Sequence, residues 1–111
     1  MKEIQSFTDE AQAYSEIDAM GYHAVTLDFA AEETPFHWHD FDSVVYITGG
    51  VLHLSVEGED NAIRCERGAK FVASAGVVHR EQTEGYNAII GLSVAPEALT
   101  QPINKAPPVE L

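Results

Sequence analysis

The sequence predicts an all-β fold, a sandwich or barrel entered through one short helix, and three observations carry that prediction. Eight short runs with strand character succeed one another between residues 22 and 94. Turn chemistry separates them: Gly49-Gly50, Gly58 to Asn61, Arg67-Gly68, Ala75-Gly76 and Glu84-Gly85, where glycine takes positive φ at little cost. Helical periodicity is confined to residues 8–20.

In that first segment Asp9 and Glu10 suit the positive end of a helix dipole, Tyr14, Ile17 and Met20 share a face, and Gly21 is placed to end the helix. The period then changes. His23, Val25, Leu27 and Phe29 alternate with Tyr22, Ala24, Thr26 and Asp28, the two-residue repeat of a half-buried strand. The remaining runs are 36–39, 43–48, 51–56, 62–65, 70–73, 79–83 and 86–94. The last residues, with Pro102, Pro107 and Pro108, have no period and read as an irregular C-terminal arm, extended or partly disordered. Nothing resembles a repeat or a linker, so residues 1–111 are expected to form a single domain: helix 8–20, barrel 22–94, arm 95–111.

Composition narrows the partners. Hydrophobic residues make up 45% and charged ones 22%, enough apolar material for one core and too much for global disorder. Six Lys and Arg stand against 18 Asp and Glu, a net charge of −12, which repels phosphate backbones and anionic lipid; no nucleic acid and no membrane partner is expected. A lone Cys65 forms no internal disulfide and reads as a small buried hydrophobe. The start, Met1-Lys2-Glu3-Ile4-Gln5-Ser6, has no apolar leader, and no stretch approaches the ~18 apolar residues that span a bilayer, so a cytoplasmic location is expected.

The chemistry concentrates at Pro35-Phe36-His37-Trp38-His39. In a strand, residues two apart project to one face, which sets the imidazoles of His37 and His39 side by side and sends Phe36 and Trp38 the other way. Forty residues on, Gly76-Val77-Val78-His79 places a third histidine at the start of a strand. Brought across the sheet, His79 would complete a three-nitrogen site with open positions. On spacing alone, two half-buried histidines bonded to backbone or water explain the pair equally well. His53 is expected to face solvent or a partner, and His23 to sit as a satisfied core residue. Trp38, Phe41, Tyr46, Phe71 and Tyr86 are expected to fill core.

The stretch from Phe36 to His79 resembles the two signature motifs of the cupin superfamily. The first pairs an HxH with a Glu four residues on and a Gly seven further; His37, His39 and Gly50 match it. The second spaces Gly, Pro, Gly, His and Asn; Gly68, Gly76 and His79 fall on it. Ser43 replaces the Glu, Ser74 the Pro and Thr83 the Asn. With flanking strands the resemblance covers roughly residues 22 to 94 and implies a single jelly-roll (cupin-type) β-barrel. It also implies that His37, His39 and His79 ligate a divalent transition metal. With Ser43 at the Glu position, Asp42 stands beside the missing carboxylate as a candidate fourth ligand, if a bulge re-aims it inward.

Imidazoles do not choose among Zn, Fe, Ni and Cu. The expected function is a small metal-binding barrel that takes a small organic molecule, with dioxygenase or isomerase chemistry as the enzymatic candidates and Tyr46 or Asp42 as proton-transfer candidates. The alternative is a non-catalytic module that binds or senses a small ligand, its metal structural or absent. Exposed strand edges, the N-terminal strand or the C-terminal arm make a homodimer the expected assembly.

Overall fold

The computed structural model describes residues 4–111; Met1-Lys2-Glu3, part of the start noted above, lie outside the described residues. One antiparallel sheet carries the molecule. Strands β1 (Gln5–Ser6), β2 (His23–Glu33), β3 (Ser43–Val56), β4 (Ile63–Glu66), β5 (Ala69–Ala73) and β6 (His79–Leu92) are joined by one helix, α1 (Glu10–Met20), before β2. Their order is β1-β5-β3-β6-β2, with β4 also paired to β3. The sheet curls so that residues of β2, β3, β5 and β6 line one interior cavity. No helix among the described residues is long and apolar enough to cross a membrane.

Two of the expected turns are bends inside strands. Gly49-Gly50 lies within β3 and Glu84-Gly85 within β6, so four of the expected runs merge into two 14-residue strands. The ladder between them slips by one residue between Ile47 and Gly49 and back between Val51 and Leu52. Each slip changes which alternate residues face inward. In β3 the inner set therefore passes from Val45 and Ile47 to Leu52 and Leu54, all in one buried cluster with Cys65, Phe71, Tyr86 and Ala88. Run 36–39 is not a full strand; it holds two isolated bridges, His37 to His79 and Trp38 to Lys105.

A second core cluster lies on the outer face, where α1 packs Ala13 and Ile17 against Val44, Tyr46, Ile89 and Phe7. The helix starts one residue beyond its cap: Asp9 accepts the Gln12 amide at 2.9 Å. It ends at Gly21 in the left-handed region (φ 73°), with the Tyr22 amide reaching Ile17 O, a Schellman closure. The expected face of Tyr14, Ile17 and Met20 is only partly right, since Tyr14 and Met20 are exposed. Ile17 sets the docking point because Gly91 of β6 leaves it room; a Cβ there would lie 2.8 Å from Ile17 Cγ1. All five aromatic residues assigned to core are buried, as is Cys65, whose thiol burial pushes up to about 11, leaving it inert. His23, expected in the core, is exposed because β2 is an edge strand with open surface at that end.

Candidate metal centre

The three histidines meet through the register of a strand pairing. His37 and His79 are directly opposite each other, exchanging both backbone bonds (His37 N–H to His79 O 2.8 Å, His79 N–H to His37 O 2.9 Å). Opposed residues of an antiparallel pair project to one side. His39, two residues on, projects to that side too, and its carbonyl accepts the Gly76 amide at 2.9 Å. Ring centroids are 4.4 Å (His37–His79), 5.0 Å (His39–His79) and 5.1 Å (His37–His39) apart. One ring nitrogen from each lies within 4.8 Å of the other two.

Hydrogen bonding decides which nitrogen. Each Nδ1 faces a backbone carbonyl: Pro35 O at 2.8 Å from His37, Ile103 O at 3.0 Å from His39, and Val77 O at 2.9 Å from His79. A carbonyl only accepts, so each Nδ1 carries the proton and each Nε2 keeps its lone pair. Burial also disfavours the charged ring. It holds His79 down to about 4 and His39 below the usual histidine value. Three neutral imidazoles with outer nitrogens anchored by carbonyls are a donor set that fits a divalent transition ion.

Around them lies a cavity of about 410 Å³, within the about 300–1,000 Å³ typical of small-ligand sites. Its walls are mainly apolar, with Phe29 of β2 stacked on Tyr86 of β6 at 4.4 Å between centroids. The C-terminal arm forms part of the lining through Pro96, Leu99, Ile103 and Asn104. It is thus a fixed covering where the sequence reads only as irregular. Trp38 Nε1–H donates to Ala106 O at 3.1 Å, and Lys105 Nζ–H reaches Pro102 O at 2.8 Å.

Other sequence candidates fall elsewhere. Asp42 Oδ1 accepts the Ala75 amide at 2.8 Å, and its own amide donates to Ser93 Oγ; it bridges turns and stands outside the three-histidine group. Tyr46 is turned away from the cavity by strand alternation, its hydroxyl donating to Glu16 of α1 at 2.8 Å, so it is not placed for proton transfer there. Ser43 lines the cavity without supplying a carboxylate. His53 lies off the cavity, beside a surface depression with Arg80 and Gln82.

Motif spacing alone does not single out Glu81. It lines the cavity two residues after His79, with Oε1 3.8 Å from His79 Nε2. Tyr86 O–H approaches Oε2 at 3.5 Å. Burial, reinforced by the Glu32 carboxylate, raises it to about 7. The signal that could have found it is periodicity: His79, Glu81 and Thr83 share one strand face.

No family model matches the sequence, and no curated protein does. Solved structures match it along most of its length. A DUF861 family protein from Thermotoga maritima superposes with a TM-score of 0.60 at 15% identity, covering 81% of this chain and 99% of that one. An RmlC-like cupin from Shewanella frigidimarina gives 0.54 at 22% identity, over 68% of this chain and 70% of the other. KdgF from a Halomonas species gives 0.54 at 22% identity, over 68% and 73%. Likeness at such identity defines the fold: this chain has the cupin fold, an antiparallel jelly-roll-type sheet carrying a possible three-histidine metal site.

Proposed function

We propose that His37, His39 and His79 hold a divalent transition ion through Nε2 and that the adjoining cavity admits a small organic molecule to it. The observation that carries this reading is the anchoring of all three Nδ1–H groups on backbone carbonyls, which leaves three lone pairs facing one cavity. When bound, such an ion supplies Lewis acidity toward an oxygen of the ligand. The chain's own part is to orient the rings, exclude water with the arm and apolar walls, and hold the ligand against Phe29 and Tyr86. Oxygenation or isomerisation of a small carbonyl or hydroxy compound is the chemistry this supports; non-catalytic ligand binding at the same site is the second reading, favoured by Ser43 standing where the motif carries Glu. The functional unit is a single domain, and a homodimer formed along exposed sheet edges is its proposed assembly.

Elemental analysis of protein made without an affinity tag tests the metal. Stoichiometric Zn, Fe, Ni or Cu in the wild type, lost in His37→Ala and His79→Ala, is the expected result; a metal-free wild type after reconstitution with each ion overturns it. Oxygen uptake against thiols, diketones and catechols then separates enzyme from binder. Sedimentation as monomer alone at micromolar concentration would remove the dimer.

A further inference from the structure

The cavity's charge balance points beyond the metal to the kind of molecule that enters. Among the described residues that line it, the ionisable side chains besides histidine and tyrosine are the carboxyls of Glu32 and Glu81; neither Lys nor Arg contributes. The rest of the wall is mainly apolar, including Val25, Leu27 and Phe71. Glu32 is exposed on edge strand β2, opposite Thr83 in the ladder, while Glu81 is mostly covered. Both line the cavity that contains the Phe29–Tyr86 stack, and Glu81 is the one beside an imidazole. Among the described residues no Lys or Arg pairs with Glu32 or Glu81; the ring nitrogen beside Glu81 is His79 Nε2, at 3.8 Å.

From this geometry we infer that the site selects a small apolar amine, its hydrocarbon or aromatic body against Phe29 and Tyr86 and its ammonium group between Glu32 and Glu81. An aromatic face adds to the attraction of carboxylates for a cation in a partly dry site. A ligand ending in a carboxylate meets two carboxyl groups and, among the described residues, no basic side chain. The inference rests on the cavity being the ligand site, but the selecting groups belong to this chain and do not require the ion.

Calorimetric titration with three probes that share a phenyl ring, phenethylamine, 2-phenylethanol and 3-phenylpropionate, tests it at pH 8 in the presence and absence of bound metal. The expected order is amine, alcohol, carboxylate in metal-free protein, with the amine favoured over the carboxylate by at least about tenfold. That preference should shrink several-fold in Glu32→Gln, which changes an exposed strand residue and leaves the fold intact, and further in Glu81→Gln. Equal binding, tighter carboxylate binding to metal-free protein, an unchanged preference in both variants, or no binding by any probe overturns the inference. Metal content, measured on the same samples, reports separately on the three-histidine reading: a loaded site without amine preference sinks only this inference, and amine preference in a protein that never takes up metal sinks only the other.

Discussion

Glu16 shows how one residue couples the helix to the sheet. Its carboxylate accepts from Lys70 Nζ at 2.7 Å, Tyr46 O–H at 2.8 Å and Gln12 Nε2 at 2.8 Å. The Lys70 bond first, then those from Gln12 and Tyr46, hold it down to about 2 from an ordinary 4.5. A carboxyl depressed on folding contributes stability above its unfolded value, and loses it as pH falls from there through the folded value. Because the side chain is 29% exposed, solvent screening reduces the contribution to about 1–2 kcal/mol. Urea unfolding at pH 7 and pH 3 should show wild type losing most of that amount and Glu16→Gln losing much less; equal losses would mean the carboxylate is not the coupling group. At this scale the side-by-side placement of His37 and His39 was legible, because two-residue spacing fixes their relative face whatever the partner strand. Glu81 was not, because a carboxylate in a strand more often faces water, and only the pairing of His37 with His79 fixes that face of β6 as inner.

At the scale of elements, the two long strands depend on glycines that the sequence presents as turns. Gly50 has φ 71°, and a Cβ there would lie 2.6 Å from Tyr86 Cα, so β3 and β6 cross too closely at this bend for any side chain. Gly58 has φ 88°, but a Cβ placed on it would meet nothing within 4 Å. Gly58→Ala is expected to cost about 1 kcal/mol, the left-handed penalty alone. Gly50→Ala adds backbone collision and should cost about 3 kcal/mol or more, read from urea midpoints at unchanged slope. Similar losses would show that the bend tolerates separation of the strands. Gly49-Gly50 offers the same local freedom to a hairpin and to a bulge; which one forms is decided by whether β6 is present to pair on both sides. The strand count therefore differed from expectation, while Phe71 is buried as expected of a core aromatic.

Across the whole molecule the C-terminal arm joins the sheet to the site. Residues 95–111 were legible only as irregular, since arm residues Pro96, Leu99 and Ile103 find their apolar partners in a cavity built by distant strands. Anchoring is polar: Thr100 O–H donates to Asp40 at 2.6 Å, Lys105 pairs with the backbone of Trp38, and Ile103 O receives His39 Nδ1–H. A chain ending at Val94 keeps β1 to β6 and α1, so its circular dichroism should remain that of a folded sheet. Its His39, however, loses the carbonyl that sets the tautomer, and water must replace an oriented acceptor. Loss of such an outer partner lowers metal affinity by about 10- to 100-fold, and the solvated replacement places the expected loss at the lower end. Competition titration with a chromophoric chelator would measure it, and Ile103→Ala is the matched control, because it trims the cavity wall while keeping the carbonyl. Undiminished affinity in the shortened chain would mean that His39 is oriented by His37, His79 and Phe41 alone; a loss in both proteins would assign the effect to the apolar cover instead of the hydrogen bond.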